Sequence, residues 1–295
     1  MSRWLAYFKE RFPFPVYVLL CAGYVVSGFA LAFRDFNDGQ KIRNFVKVPY
    51  LMNAAVAFGA IFLFFFLLRM MDEFKDFKKD QVAHPTRPLP RGLFEPIEFQ
   101  QMIDRLWLGG LLLGSPLVLA LAGTPAALFY LLFWFYLWAM YKEFYIGARL
   151  QNFPLLYACS HQIILLPISC FAIACFGNEE GYSFSAVLYG VAVLGSFFSY
   201  EVGRKLDPKA PLILKTYLTV YGRSLTFFMV VALQGLAATA AYHLEVAPWI
   251  YVIEGLAAAS ALLILFKPEK FKVVEAMVSV SLVAHIWIGL ATGDL

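Results

Sequence analysis

Apolar and polar positions alternate along this chain in long blocks, and each apolar block is close to the length of a membrane span. A hydrocarbon core about 30 Å thick needs roughly 20 apolar residues in a helix. Nine windows approach this length: Val16–Phe33, Val48–Leu68, Leu106–Leu121, Pro125–Tyr141, Pro154–Phe176, Phe184–Tyr200, Leu225–His243, Pro248–Phe266 and Val273–Ala291. The breaks between them carry glycine, proline or charge, as turns do. The pattern predicts an all-α integral membrane protein with nine transmembrane helices.

The composition agrees with a membrane protein. The 295 residues are 61% hydrophobic and 15% charged, whereas a soluble domain carries about 25% charged residues. Four cysteines lie in the apolar windows without a CxxC pair, so we expect buried hydrophobic side chains rather than disulfides or a zinc site. The N-terminal segment has no small-residue cleavage site before the first window, and no cleaved signal peptide is expected.

Lysine and arginine are distributed unevenly between the two sides of the predicted bundle. With the N-terminus in the cytoplasm, all but four of the 24 Lys and Arg residues fall in inner segments, as the positive-inside rule requires. The exceptions, Arg34, Lys41, Arg43 and Lys47, share the segment between the first two windows. We therefore predict a cytoplasmic N-terminus.

The inner loop over residues 69–105 begins with the acidic segment DEFKDFKKD, which holds Asp72, Glu73, Asp76 and Asp80. If the second span continues as a helix, spacings of three and four residues project these carboxylates from one broad face. Carboxylate oxygens are ligands for Mg²⁺, which is often held by one or two carboxylates plus substrate phosphates. The alternative is a solvated helix end of mixed charge.

The same loop continues as HPTRPLPRG, which presents Arg87 and Arg91 on a proline-stiffened segment. Arginine matches phosphate oxygens with two parallel hydrogen bonds. Carboxylates suited to a metal ion beside rigidly presented arginines indicate diphosphate chemistry.

A second inner loop, residues 200–224, has a similar mixture of charges. Its acids are Glu201 and Asp207. Its cations are Arg204, Lys205, Lys209, Lys215 and Arg223. Two loops of acids and bases on one membrane face, four spans apart, predict two halves of the chain that face one pocket.

These motifs resemble those of the UbiA superfamily of intramembrane prenyltransferases. The family's first motif is NDxxDxxxD, followed by an RPL segment that ends in glycine. Asp72 stands at the Asn position and Glu73 at the first Asp, and RPLPRG, Arg87–Gly92, matches the tail. The resemblance covers the whole chain in span count and orientation. It implies that residues 1–295 form a single domain, a helical bundle around a central cavity.

The resemblance also implies a mechanism. Family members take a polyprenyl diphosphate from the lipid bilayer, Mg²⁺ on the aspartates acts as a Lewis acid on the diphosphate, and a hydrophobic or aromatic acceptor captures the allylic carbocation. Aromatic faces stabilise such cations, and 18% of the residues are aromatic. No nucleic-acid partner is expected. The implied location is a bacterial inner membrane, with the active site toward the cytoplasm.

The residue pattern and the resemblance together assign the candidate site residues. Catalytic roles fall on Asp76, Asp80 and Lys205. The expected metal ligands are Asp72, Glu73, Asp76, Asp80, Glu201 and Asp207. The expected diphosphate ligands are Arg87, Arg91, Lys142, Arg204, Lys205 and Lys215. Asn53, His161 and Tyr200 are expected in the substrate pocket. The second motif differs from the family pattern of a tyrosine followed by two or more aspartates, and Lys205 is a candidate to replace some of the missing positive charge of a second metal ion.

Polar residues inside a membrane are functional candidates because they are costly there. His161 can line the pocket or form a hydrogen-bonded helix contact. For His285 and Glu254, which lie toward the outer side, the structural role is favoured.

Three other functions remain open. A UbiA-type terpene cyclase captures the carbocation internally, and a polyprenyl-phosphate phosphoribosyltransferase uses the polyprenyl phosphate as the acceptor. A divalent-cation transporter is the alternative of another class, but transport sites tend to lie near the bilayer midplane, whereas these acids lie at the inner surface beside arginines.

Overall fold

The structure, a computed structural model, describes residues 3–36, 48–150, 152–177, 182–210 and 216–292, and within these ranges the regular elements are all helical. The α-helices are α1 (Arg3–Arg11), α2 (Phe14–Phe36), α3 (Val48–Lys75), α4 (Phe77–Ala83), α5 (Pro96–Gly109), α6 (Ser115–Tyr141), α7 (Gly147–Leu150), α8 (Pro154–Gln162), α9 (Leu165–Ala174), α10 (Phe184–Gly203), α11 (Tyr217–His243), α12 (Trp249–Ser260), α13 (Leu262–Phe266) and α14 (Phe271–Ile286). A π-helical turn, Gly110–Gly114, joins α5 to α6.

Seven helical stretches of the described residues are long and apolar enough to cross a membrane. They are Phe14–Phe36, Pro49–Lys75, Pro96–Tyr141, Pro154–Ala174, Phe184–Gly203, Tyr217–His243 and Trp249–Phe266. Each of them except Pro96–Tyr141 overlaps one predicted window. The prediction of an all-helical, multi-pass integral membrane protein is therefore confirmed.

The stretch Pro96–Tyr141 contains two predicted windows and turns back on itself at Gly123. A straight helix of its 46 residues would reach about 69 Å, more than twice the hydrocarbon thickness. Gly123 adopts φ 83° and ψ 179°, a conformation that glycine tolerates and other residues rarely adopt. Trp107 and Trp134 each donate an indole N–H to the other's backbone carbonyl, at 3.3 and 2.9 Å. The two arms of this stretch therefore lie side by side.

The last predicted window, Val273–Ala291, forms a shorter helix. The 16 residues of α14 rise by about 24 Å, less than the hydrocarbon thickness, and a 3₁₀ turn over Ile288–Ala291 completes the segment. The backbone N–H of Ala247 donates to the carbonyl of Ala291 at 2.7 Å, which ties this end to the start of α12. Nine complete spans and a cytoplasmic N-terminus stay predictions.

Close contacts between small residues hold the centre of the bundle together. Gly195 of α10 packs against the Leu233 carbonyl and Ala237 of α11, and Gly28 of α2 packs against the backbone of Ala172 in α9. An added Cβ at either glycine would collide with its neighbour. Because lipid tails are as apolar as leucine, membrane helices associate through such close packing. The packing holds α10, whose far end carries the second motif, against its neighbours.

A buried polar chain crosses four helices around α10. Glu254 Oε1 lies 2.8 Å from Nε2 of His285, and Nδ1 of His285 donates to the Ser281 carbonyl at 2.7 Å. The Ser281 hydroxyl donates to Gln234 at 2.8 Å, and the Gln234 amide donates to Ser199 at 2.9 Å. Glu254 and His285 are 3% and 0% exposed. These contacts agree with the structural role favoured for both residues.

We predict that Glu254→Ala lowers the free energy of unfolding by roughly 1 to 3 kcal/mol, because it leaves a ring nitrogen of His285 buried without a partner. Glu254→Gln keeps a hydrogen-bonding group at this position and should lose less. Thermal unfolding of both variants in the same detergent measures the difference, and equal losses would contradict this account.

Candidate functional site

The first acidic motif lies where α3 ends. The helix stops at Lys75, and Asp76, with φ −82° and ψ 0°, is the N-cap residue of α4. The helical hydrogen bonds nevertheless continue across Asp76, from its N–H to the Asp72 carbonyl at 2.9 Å and from the Asp80 N–H to the Asp76 carbonyl at 2.8 Å, so the register is kept from Asp72 to Asp80. Asp72 and Glu73 are adjacent, so they project about 100° apart around the helix. The four carboxylates therefore separate into two groups instead of sharing one face.

The first group, the α1 cluster, consists of Glu73, Asp80, Arg11, Arg69 and Arg87. Glu73 is 3% exposed, and its Oε1 accepts hydrogen bonds from Arg11 and, at 2.7 Å, from Arg69. Asp80 is 4% exposed and accepts from Arg87 at 2.5 Å. A buried charge needs such a partner. Two predicted metal ligands and one predicted diphosphate ligand are thus engaged in internal ion pairs.

Two more ion pairs fix α1 against the first motif loop. Both terminal nitrogens of Arg91 donate to the Glu10 carboxylate at 2.8 Å, and Arg3 donates to Glu98 of α5 at 2.7 and 2.9 Å. The hydrogen bond from Arg91 lowers the pKa of Glu10. Because that pKa is lowered, the pair contributes at neutral pH and is lost as the pH falls through it. Arg91, a predicted diphosphate ligand, is therefore engaged in an ion pair with Glu10 of α1.

The second group, the α10 cluster, joins the end of α3 to the end of α10. Its members are Asp72, Lys75, Asp76, Glu201, Arg204 and Lys205. Glu201 accepts at 2.5 Å from both Arg204 Nε and Lys205 Nζ, and this carboxylate raises the pKa of Arg204. Asp72 interacts electrostatically with all three of these residues. The two motif loops, which are distant in the sequence, therefore meet at one end of the bundle.

Lys75 is the member of this cluster that contacts α8. Its ammonium is 3.3 Å from the Met140 carbonyl, 3.4 Å from Nε2 of His161 and 3.8 Å from the Asp72 carboxylate. Nδ1 of His161 lies 2.8 Å from the Tyr157 carbonyl. A carbonyl only accepts, so Nδ1 carries the proton and Nε2 is free to accept from Lys75. His161 thereby fixes the position of Lys75.

Asp76 is the most accessible acid of the α10 cluster. Its side chain is exposed, and no side chain in the described part of the protein donates a hydrogen bond to it. The surrounding protein raises the pKa of Asp76 by desolvation, the Asp72 carboxylate raises it further, and Lys79 opposes the rise. Asp76 is therefore a carboxylate whose negative charge is only partly compensated.

Asp72 and Asp76 are the carboxylates best placed to hold a metal ion. Among the described residues, no group of three or more His, Cys, Asp or Glu side chains is arranged for one, so the six predicted ligands do not form a single site. Asp207, for example, accepts the backbone N–H of Lys209 at 2.8 Å. Two carboxylates plus phosphate oxygens are nonetheless a usual coordination for Mg²⁺. Binding of Mg²⁺ by this pair, together with a phosphate ligand, stays a prediction.

The remaining predicted site residues are placed differently. Tyr200 lies in the α10 cluster region and interacts electrostatically with Arg204. Lys142 rests over the rings of Trp138 and Tyr141, at 4.6 and 4.5 Å from their centroids. Lys215 lies outside the described residues.

Asn53 is far from both clusters. It lies near the other end of α3, about 28 Å from Asp72 along the helix, where its amide donates to the Cys175 carbonyl at 2.7 Å. The structure therefore gives Asn53 a helix–helix contact and does not bring it to the motif residues.

The sequence interpretation did not assign two features of this site. Lys75 is one, although a lysine three residues after Asp72 shares its helix face and could have been noticed. The second is α1, whose partners Glu73 and Arg91 are remote in the sequence. No local pattern marks Arg11 as their neighbour.

Comparison with known proteins supports the fold. Neither the protein-family models nor the curated proteins include a match. Among solved structures, the chain resembles one of digeranylgeranylglyceryl phosphate synthase in membranes, with a TM-score of 0.57 and 15% sequence identity over 98% of this chain and 99% of that one. At this identity the likeness shows the fold alone. The chain is a multi-pass helical membrane protein with the fold of that synthase.

We predict that Arg11→Ala destabilises the protein by roughly 1 to 3 kcal/mol, because Glu73 loses one of its two partners while it stays buried. Arg11 and Glu73 side chains are 17% and 2% exposed. The matched control is Glu10→Ala, which removes an exposed ion pair of the same helix and should barely change the melting temperature. Thermal unfolding of the two variants decides the matter, and a larger loss for Glu10→Ala would refute the buried role of Arg11.

Proposed function

We propose that this protein is a divergent UbiA-type intramembrane prenyltransferase. In this proposal it ionises a polyprenyl diphosphate and transfers the prenyl group to an aromatic or lipidic acceptor. The observation that carries the proposal is the α10 cluster, in which the two acid-and-base motifs meet at one end of a membrane-spanning bundle. The likeness in fold to digeranylgeranylglyceryl phosphate synthase, named for a prenylated product, supports it.

The charges of the α10 cluster suit the leaving group of this reaction. The C–O bond of the donor breaks, both electrons leave with the diphosphate, and an allylic carbocation remains. Arg204 has terminal N–H groups not used by Glu201, and Lys205 has further ammonium hydrogens. These donors can bind phosphate oxygens and stabilise the charge that develops on them. A Mg²⁺ ion on Asp72 and Asp76 would supply Lewis-acid stabilisation of the same charge.

Aromatic side chains around the cluster suit the carbocation. Lys75 lies 5.9 Å from the Tyr157 ring centroid, and Lys205 lies 5.8 Å from that of Tyr217. Tyr17 interacts electrostatically with Asp72. Rings that already face the cations of this cluster are suited to stabilise an allylic cation. The acceptor then attacks this cation and loses its proton.

The alternatives within the superfamily differ in the fate of the carbocation or in the acceptor. A cyclase would release diphosphate without an acceptor, and a phosphoribosyltransferase would require phosphoribosyl diphosphate. The divalent-cation transporter is disfavoured because the acids of the cluster are accompanied by an equal number of cations, which repel a free metal ion. We also propose that the cluster faces the cytoplasm of a bacterial cell.

The assay for the proposed function measures diphosphate release. Purified protein in nanodiscs is incubated with Mg²⁺ and farnesyl or geranylgeranyl diphosphate, with and without aromatic and lipid acceptors. Release coupled to a prenylated acceptor supports transfer, and release without an acceptor to give a cyclic hydrocarbon supports the cyclase. No release with any donor, together with Mn²⁺ flux in proteoliposomes, would refute the enzyme.

We predict that Asp76→Ala reduces turnover to background, because Asp76 is the accessible acid of the cluster and one of two carboxylates that suit Mg²⁺. Asp104→Asn is the matched control, since Asp104 is an exposed carboxylate of α5 outside both clusters. It should retain wild-type activity. Full turnover by Asp76→Ala would show that the α10 cluster is not the active site.

A further inference from the structure

Lys75 is an ammonium group with an incomplete set of partners. Its side chain is 12% exposed, and its two hydrogen-bonding neighbours, the Met140 carbonyl and His161, are uncharged. The Asp72 carboxylate at 3.8 Å is too far for a hydrogen bond. A largely buried cation is stable when an anion accepts its remaining hydrogen. Lys75 is therefore poised to bind a further anionic group.

The surroundings of Lys75 point toward the second motif. His161 interacts electrostatically with both Lys75 and Lys205, and Asp72 interacts with Lys75, Arg204 and Lys205. Lys75 from the first motif and Arg204 and Lys205 from the second therefore all lie near Asp72. A diphosphate has oxygens on two phosphorus atoms, so it can accept from several separate cations.

The α10 cluster contains cations of its own, unlike a diphosphate site in which metal ions supply most of the positive charge. The three acids Asp72, Asp76 and Glu201 are matched in number by Lys75, Arg204 and Lys205, so the cluster as a whole carries no net negative charge, although the charge of Asp76 itself is only partly compensated. Arg204 and Lys205 side chains are 45% and 44% exposed, which leaves their free donors accessible to a ligand. Positive charge for the diphosphate is present before any metal binds.

We propose that Lys75, together with Arg204 and Lys205, forms a diphosphate subsite that binds without a divalent metal ion, and that His161 is the positioning residue for Lys75. This inference rests on the proposed function, since it assigns the group of the donor that the site recognises. It adds Lys75 to the binding residues and limits the metal to the chemical step.

The test measures binding rather than turnover. Full-length protein in phosphatidylcholine nanodiscs is titrated calorimetrically with inorganic diphosphate in EDTA, and then with the non-hydrolysable farnesyl thiodiphosphate. Wild-type protein should bind both ligands in EDTA. Binding of the farnesyl ligand alone would make the prenyl chain the determinant and overturn the subsite. Binding only after Mg²⁺ is added would overturn it as well.

Lys75→Met keeps the length of the side chain but removes its charge, and it should weaken diphosphate binding in EDTA by about tenfold or more. Lys75→Arg should retain most of the affinity. The matched control is Lys78→Met, which removes an exposed lysine of the same motif and should bind as wild type. Equal affinity of Lys75→Met and wild type, or an equal loss in Lys78→Met, would overturn the assignment.

Two measurements keep the outcome interpretable. If Lys75→Met does not fold, His161→Gln replaces it: weaker binding supports the positioning role, and unchanged binding refutes it. Diphosphate release from farnesyl diphosphate in Mg²⁺ is measured on the same wild-type preparation. Release without metal-free binding contradicts this inference alone, whereas metal-free binding without release contradicts the proposed reaction.

Discussion

The end of the bundle that carries both motifs depends on the pairing of carboxylates with cations of the same chain. An unpaired charge removed from water costs several kcal/mol, so Glu73, Asp80 and Glu201 are each held by lysine or arginine. The motif residues differ in how fully their charges are paired. Glu73, Asp80 and Glu201 pair with cations and fix the architecture, whereas Asp76 and Lys75 have weaker pairing and are the residues that the proposed function assigns to a ligand.

The α1 helix has a larger part in the site than its position outside the predicted spans indicates. It joins the end of α3, the proline-rich loop and the start of α5 through Arg11, Glu10 and Arg3. Glu10 and Arg11 of α1 pair with Arg91 and Glu73. The residues proposed to bind a ligand therefore lie in the α10 cluster. The first motif therefore anchors α1 on one side, and in the proposed function its other side is a ligand-binding face.

The fold was largely predictable because a membrane-spanning helix can be recognised in a sequence by its length and its apolar composition. The windows over α2, α3 and α10 correspond closely to helices of the structure. The site was less predictable. The helical register does continue from Asp72 to Asp80, but the adjacent residues Asp72 and Glu73 project about 100° apart around the helix, and their carboxylates face different partners. Asn53 was expected in the substrate pocket because it is polar inside a membrane span. In the structure its amide donates to the Cys175 backbone carbonyl in a helix–helix contact.

The sequence by itself determined that this is a helical membrane protein with two mixed-charge loops, because the cost of placing polar groups in lipid acts on each segment independently. Only the tertiary structure decided which charges neutralise one another. Arg11 lies 62 positions from Glu73, and His161 lies 86 positions from Lys75. Pairing energies depend on distance in space, which helix packing sets and which local spacing does not contain.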